Sequence, residues 1–318
     1  MKRKIKYHLL AAALLASLWM HGCTRQEPVV EVALVLKTTV ETAEFWGQVM
    51  SGVNAAAEKF GVDLTITGAS AETAVDEQID LVEDVIQAKP DVMILVASDF
   101  NRLISVTEEA VEAGIQVVTM DSDVNTEARA CYVASNNYRI GSNLGKQLLD
   151  AVPAGRVAIL SHSSVASSGI ERAQGALDAM QDSGQIEVLG VYDCENKMER
   201  AREITEELLL QYPDLDAFVC TNEVCNRAVA TCLVEKGLAG QIIIIGCDNS
   251  QPQIQYLEQN AIQGIVIQRP FNMGYEAVAQ AVKVARNEPV DNFVEISCVN
   301  ITRDNMYNSE NQKLLFPF

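Results

Sequence analysis

Polar side chains end two strongly apolar runs in the last third of the sequence. The first run, Ile242–Cys247, ends at Asp248, and the second, Gly264–Ile267, ends at Gln268. Apolar runs of this length are typical of strands that are buried on both faces of a parallel sheet. Open α/β sheets bind ligands outside the carboxyl ends of their strands. The sequence therefore predicts that Asp248 and Gln268 hydrogen-bond a small polar molecule.

Catalysis would be another use of polar side chains, but the sequence offers little for it. The loop Ser161–Ser164 contains His162, the only histidine after residue 22, and Cys225 could act as a nucleophile. One histidine would have to serve every acid–base and metal-binding role. The sequence lacks the G-x-S-x-G, G-x-x-x-x-G-K-[ST] and H-E-x-x-H motifs. We predict that the protein is not an enzyme, and that the serine-rich loop binds ligand or caps the helix after it.

Charge and cysteine content narrow the class of protein further. The chain of 318 residues has a formal net charge of −19 at pH 7, which disfavours a nucleic-acid partner. Seven cysteines follow Cys23, without a C-x-x-C pair and without the density of a small disulfide-rich domain. We predict that most of them pack as small hydrophobes. No cofactor and no metal site is predicted.

The first 23 residues have the pattern of an export signal. Basic residues lie within Lys2–Lys6, an apolar stretch follows at Leu9–Met20, and Gly22–Cys23 stands where a signal peptidase would cut. The apolar stretch is too short for a comfortable transmembrane span. We predict an exported protein of the cell envelope; an uncleaved signal anchor is the alternative.

The Gly-Cys pair resembles a bacterial lipobox, whose cysteine is acylated and becomes the new N-terminus. Met20 and His21 differ from the residues usual before that cysteine. We predict a lipoprotein signal peptide at 1–22, a lipid anchor on Cys23, and a tether at 23–28. The protein would then lie on the outer face of the cytoplasmic membrane or in the periplasm.

The rest of the chain alternates strand and helix patterns, and its length suggests two domains. Apolar residues at helical spacing separate the short apolar runs. The predicted strands are 31–36, 63–67, 91–97, 116–120, 156–160, 187–192, 217–220, 242–245, 264–267 and 294–299, with a strand-like crossover at 130–137. This order is typical of parallel sheets with right-handed crossovers.

Several segments together resemble a known family. They are Asp121 after "VVTM", "SNNYRIGSNLGKQL", "GIERAQGALDAM", "TNEVCNRAVATCLVEKG", "IIIIGCDNS" and "GIVIQRPFNMGYEAV". In order and spacing, over about residues 30 to 300, they resemble the periplasmic sugar-binding proteins of the ribose/galactose group, the type I solute-binding proteins of ABC transporters. Lac-repressor-type regulators share the ligand domain.

The resemblance implies an α/β fold of two Rossmann-like, doubly wound parallel-sheet domains that are joined by three crossovers and close on one ligand. It implies an N-terminal lobe at 29–135 plus 269–293 and a C-terminal lobe at 136–268 plus 294–318.

The resemblance also implies a set of ligand-binding residues. They are Phe45, Trp46, Asp99, Asp121, Arg172, Asn222, Asp248 and Gln268. Carboxylates, amides and guanidinium groups can pair with neighbouring sugar hydroxyls, while an aromatic face covers the apolar C–H patches of the ring. Loss of Asp121 or Asp248 is expected to weaken binding and to leave the stability of the free protein nearly unchanged or raised.

Structural roles are the alternative for the same residues. Asp121 and Asp248 could be turn or cap residues, and Asn222 and Asp99 could cap the helices that follow them. Arg172 could be a surface charge, and Gln268 could be buried without a ligand. One of Phe45 and Trp46 is expected to be core packing, because adjacent residues on a helix point about 100° apart. Asp193–Glu195 departs from relatives that place a stacking aromatic there, which leaves the ligand's identity open.

The predicted function is the binding of a monosaccharide by a monomeric protein for an ABC permease. The alternative is a sensor that presents a sugar, or a sugar-like signal, to a membrane histidine kinase or chemoreceptor. A DNA-binding regulator is disfavoured, because the N-terminus offers a signal and no helix-turn-helix.

Overall fold

The computed structural model describes residues 28–39, 44–181 and 183–316. The predicted signal peptide, Cys23 and the tether up to residue 27 lie outside these ranges. Within them, no helix is both long and apolar enough to span a membrane.

Strands and helices alternate along the described chain. The strands are β1 Glu31–Leu36, β2 Asp63–Gly68, β3 Val92–Leu95, β4 Gln116–Met120, β5 Cys131–Ala134, β6 Gly155–Ser161, β7 Ile186–Asp193, β8 Ala217–Cys220, β9 Ile243–Cys247, β10 Gly264–Ile267, β11 Phe293–Glu295 and β12 Val299–Thr302. The helices are α1 Glu44–Phe60, α2 Val75–Ala88, α3 Ile104–Glu112, α4 Asn137–Ala151, α5 Ser167–Gln181, α6 Met198–Gln211, α7 Glu223–Glu235, α8 Gln251–Glu258, α9 Pro270–Ala285 and α10 Ser309–Leu315.

The strands form two six-stranded sheets with matching strand orders. The first sheet has the order β2-β1-β3-β4-β5-β11, and the second has the order β7-β6-β8-β9-β10-β12. Every pairing is parallel except that of β10 with β12. Helices cover both faces of each sheet, with apolar clusters between the layers. The predicted α/β fold of two doubly wound domains is confirmed.

Within the described ranges, the chain passes between the two sheets three times. The passages lie between β5 and α4, between β10 and α9, and between β11 and β12. The predicted single strand at 294–299 is wrong, because β11 pairs with β5 and β12 pairs with β10. Ile296 is still buried in the first core, whereas Val299 packs against the second. The predicted boundary between residues 293 and 294 therefore falls inside β11, a few residues before the chain actually crosses.

Two glycines let α4 and α5 lie in direct contact. A Cβ on Gly141 would lie 2.0 Å from the carbonyl oxygen of Arg172, and one on Gly175 would lie 2.1 Å from that of Tyr138. No side chain fits at such distances, so the close approach requires glycine at both positions. The contact fixes the backbone of α5 at Arg172.

The cysteines after residue 23 are free thiols, and six of the seven are buried. Cys298 is the half-buried one. Their packing agrees with the role of small hydrophobes predicted for most of them.

Candidate functional site

The carboxyl ends of the two sheets face each other across a cleft. Its cavity measures about 450 Å³, counting the part open to solvent. Seven of the eight predicted ligand-binding residues line this cavity: Phe45, Trp46, Asp121, Arg172, Asn222, Asp248 and Gln268. Seven further described residues line it as well: Lys37, Glu72, His162, Ser168, Asn196, Glu223 and Val224.

Asp121 and Asp248 occupy equivalent places in the two sheets. Asp121 follows β4, and its N–H donates to Val133 O of β5 at 3.1 Å; Asp248 follows β9, and its N–H donates to Val266 O of β10 at 2.8 Å. Both have left-handed backbones, with φ of 62° and 66°. This conformation costs about 1–2 kcal/mol for most residues, although aspartate tolerates it. The chain does turn at these residues, and the same turn places both carboxylates in the cleft wall.

A buried lysine neutralises the first of these carboxylates. Lys37 Nζ lies 3.0 Å from Asp121 Oδ2 and donates to Ser122 Oγ at 2.6 Å, and only 2% of Lys37 is exposed. Burial alone raises the pKa of the Asp121 carboxyl, but the charges of Lys37 and Arg172, together with hydrogen bonds from Lys37 and Ser122, outweigh burial and the net pKa is lowered. Asp121 is therefore ionised at neutral pH.

Arg172 is buried rather than a surface charge. Its side chain is 3% exposed; Nε donates to Asn137 Oδ1, and Nη1 donates to Thr221 O, both at 2.9 Å. Nη1 also lies 3.9 Å from Asp248 Oδ2, which is too long for a hydrogen bond. The protein thus holds the guanidinium group in place, and the remaining N–H groups of Arg172 can still donate hydrogen bonds to a ligand.

Gln268 leaves an acceptor in the cleft wall without a donor. Its Nε2 donates to Asp248 Oδ1 at 2.7 Å, whereas its buried Oε1 has no hydrogen-bond partner among the described residues. A buried carbonyl oxygen without a donor is unfavourable, so this atom is a suitable acceptor for a ligand hydroxyl.

Asn222 caps a helix and also lines the cavity. Its Oδ1 accepts from Cys225 N–H at 3.1 Å and so caps α7, while its Nδ2 donates to Asn196 Oδ1 at 2.8 Å. The cap fixes the amide at the cavity wall.

Two aromatic rings form one wall of the cleft. Phe45 and Trp46 begin α1, with ring centroids 5.2 Å apart and ring planes at 90°. Both rings are half-buried, and both also contact the first hydrophobic core. The expectation that only one of the two packs on the core is therefore wrong: each does both, because the edge-to-face arrangement lets adjacent rings share one surface.

Asp99 is the predicted ligand-binding residue that the structure places elsewhere. It does not line the cleft cavity. Its Oδ1 accepts from the N–H groups of Asn101 at 2.8 Å and Arg102 at 2.9 Å. The carboxylate caps the turn that leads into α3, so the capping alternative describes it and the ligand contact does not.

The sequence reasoning missed several residues of the cleft. Lys37 follows β1, so the strand-end pattern that indicated Asp248 could have indicated it too, whereas His162 follows β6 in the serine-rich loop that was predicted to bind ligand or cap a helix. Glu72 and Asn196 lie in irregular loops, whose path the apolar periodicity does not determine.

His162 is a neutral, fully engaged side chain. Nδ1 lies 2.8 Å from Thr221 Oγ1, and Nε2 lies 3.1 Å from Ser168 Oγ. Burial, followed by the charges of Arg172 and Lys37, lowers the pKa of the imidazole well below its usual range. Its two nitrogens therefore position neighbouring hydroxyl groups rather than exchange protons near neutral pH.

Direct hydrogen bonds join the two rims of the cleft. Phe100 N–H donates to Val165 O at 2.8 Å, Asp123 N–H donates to Ser167 Oγ at 2.7 Å, and Ser122 Oγ donates to the hydroxyl of Ser168 at 2.8 Å. The cleft is thus in a closed arrangement. Among the described residues, no group of three histidine, cysteine, aspartate or glutamate side chains could hold a metal ion.

The fold, with its cleft between two matching sheets, defines the class of protein to which this chain belongs. Residues 32–289 match the periplasmic binding protein domain, and the chain belongs to that family. It is 24% identical over 285 residues to the D-allose-binding periplasmic protein of Escherichia coli, covering 85% of this chain and 90% of the relative. It is 26% identical over 269 residues to the D-ribose/D-allose-binding protein of Pseudomonas aeruginosa, covering 79% and 82%.

Similar solved structures belong to the same class of protein. An ABC transporter solute-binding protein from Agrobacterium vitis with bound D-fucose matches with a TM-score of 0.86 at 27% identity, over 90% of this chain and 100% of that one. A glucose-galactose binding protein from Geobacillus stearothermophilus matches with a TM-score of 0.83 at 26% identity, over 88% and 99%.

Proposed function

We propose that this protein binds a monosaccharide in the cleft and delivers it to an ABC permease. The observation that carries the proposal is the pair of equivalent carboxylates, Asp121 and Asp248, which face one cavity beside the cations Lys37 and Arg172. The relatives are named for D-allose and D-ribose, and the bound molecule in one similar structure is D-fucose. These names favour import of a sugar over presentation of a signal to a histidine kinase.

The cleft suits a molecule whose hydroxyl groups both donate and accept. The carboxylates and Gln268 Oε1 accept hydrogen bonds, whereas Arg172 and Lys37 donate them. Phe45 and Trp46 can cover the C–H face of a sugar ring. A ligand with only acceptors would leave Gln268 Oε1 without a donor and would offer nothing to the remaining acceptor sites of the carboxylates, which is costly in a closed site.

Binding without turnover is part of the proposal. Both nitrogens of His162 are engaged by hydroxyl groups. Burial raises the pKa of the Cys225 thiol well above its usual range, so this side chain is a poor nucleophile.

A thermal-shift screen followed by calorimetry tests the function. We expect a pentose or hexose, with D-allose and D-ribose as first candidates, to raise the melting temperature and to bind once per chain. Stabilisation only by polyols, nucleosides or amino acids, or chemical conversion of a bound sugar, would contradict the proposal. An adjacent gene pair for a permease and its ATPase supports transport, whereas an adjacent histidine kinase supports sensing.

We propose a lipid anchor on Cys23, carried by a signal peptide at 1–22 and a tether at 23–28. One acyl chain binds a membrane only marginally, so a second chain or the permease would help to hold the protein in place. Labelled palmitate should enter the wild type and not Cys23→Ala. Equal labelling of both would refute the anchor.

We propose that the protein is a monomer and that its two lobes meet at the three chain crossings. The lobes open and close about these crossings. A ligand can favour the closed form only through contacts with both lobes. Small-angle scattering should show a smaller radius of gyration, at the mass of one chain, when the sugar from the screen is added. An unchanged radius at saturation would count against closure.

A further inference from the structure

A second cavity adjoins the cleft on the side of the edge strands β2 and β7. This side is opposite to β11 and β12, between which the chain makes its last crossing. It measures about 590 Å³, counting the part open to solvent, against about 450 Å³ for the cleft. Glu72, His162 and Asn196 line both cavities. We call this second space, lined within 72–75, 162–166 and 193–196 and by Ser98, the mouth cavity.

Both lobes build the mouth cavity, and closure completes it. Glu72 and Ser98 come from the segments after β2 and β3, and Ser164 and Asp193 come from the ends of β6 and β7. The bond from Phe100 N–H to Val165 O joins the two sides. A molecule that reaches from the cleft into the mouth cavity would therefore touch both lobes.

The described lining mixes apolar side chains with hydroxyl and carboxylate groups, and it includes no positively charged side chain. Ser98 is 3% exposed, and its buried Oγ has no hydrogen-bond partner among the described residues. The described lining includes the carboxylates of Glu72, Asp193 and Glu195 and no lysine or arginine. Lys197 pairs with Glu195 at 2.6 Å, but it does not line the cavity. Hydroxyl groups find partners here, whereas phosphate or carboxylate groups meet repulsion.

We propose that the mouth cavity is a second sugar subsite, which takes an uncharged, hydroxyl-bearing unit attached to the ring in the cleft. The protein then accepts glycosides and disaccharides as well as the free monosaccharide. This inference rests on the proposed sugar binding in the cleft. It extends the ligand class from one ring to a ring with a neutral substituent.

Calorimetry on the full protein tests the subsite. The probes are D-allose, D-ribose, D-galactose and D-glucose, their methyl glycosides, the disaccharides lactose, melibiose and cellobiose, and glucose 6-phosphate. For a sugar that binds, at least one glycoside or disaccharide should bind as tightly as the free sugar or up to about tenfold tighter, since one or two net hydrogen bonds are worth that much. The phosphate ester should bind at least about tenfold more weakly.

Ser164→Trp supplies the matched variant. Ser164 is exposed, lines the mouth cavity but not the cleft, and its N–H rather than its side chain bonds Asp193 Oδ2. The indole should abolish disaccharide binding and leave the affinity for the free sugar within about twofold of the wild type. Ser164→Ala should still bind the disaccharide.

Wild-type binding that tolerates no substituent at any hydroxyl would overturn the subsite, as would equal losses for free sugar and disaccharide in Ser164→Trp. If no sugar of either kind binds, the proposed function itself fails, and the subsite fails with it.

Discussion

Asp121→Asn is expected to weaken sugar binding by about 30- to 150-fold, that is, by about 2–3 kcal/mol. The amide keeps the shape of the carboxylate and tolerates the left-handed backbone, so the loss reflects the charge. The variant should also lower the free energy of unfolding by about 3 kcal/mol, because it leaves the buried ammonium group of Lys37 without its partner. Calorimetry and denaturant unfolding measure the two effects separately.

Lys37→Met in the Asp121→Asn background is the control for this result. It removes the unpaired charge, so most of the stability should return, whereas the affinity should not. Intact affinity with a large loss of stability in Asp121→Asn would show that the carboxylate is only structural. The sequence alone suggested that the stability would be nearly unchanged or raised; the buried pair with Lys37 is the reason for the different expectation.

The ion pair of Asp121 with Lys37 also makes the free energy of unfolding depend on pH in the acid range. Because the folded-state pKa of Asp121 is lowered, its contribution is fully present above the unfolded-state pKa of about 3.9 and is lost as pH falls through the folded value. Unfolding measured between pH 3 and pH 7 should show a smaller loss of stability in the double variant than in the wild type.

Arg172→Lys is expected to cost about 2–5 kcal/mol of binding free energy, or roughly 30-fold and more. The guanidinium group donates to Asn137 and to Thr221 O at once, and a lysine cannot reproduce that fixed fork. Unchanged affinity in a folded Arg172→Lys variant would place the ligand elsewhere.

Gly141→Ala provides an independent check on how Arg172 is positioned. The added methyl group would collide with the Arg172 carbonyl, so α4 and α5 must separate. Affinity should fall although no group that faces the cleft has changed.

The positions of most strands along the chain, and the places of Asp248 and Gln268 at the cleft, could be predicted because they depend on local patterns. The predicted strand at 116–120 coincides with β4, and polar residues that end apolar strands led to Asp248 and Gln268. The split between β11 and β12 could not be predicted, because both are short, and which sheet each joins depends on distant partners. The buried Lys37 likewise depends on Asp121, which lies 84 residues away in the chain.

The three chain crossings also determine how the protein can assemble. α9 lies near the end of the chain, yet its residues Met273, Ala277 and Val278 are fully buried in the first hydrophobic core. A nascent chain that ends before residue 270 would leave that core uncovered, however complete its first five strands are. The N-terminal lobe must therefore wait for nearly the whole chain to emerge. This delay gives an export machinery time to act on an unfolded polypeptide.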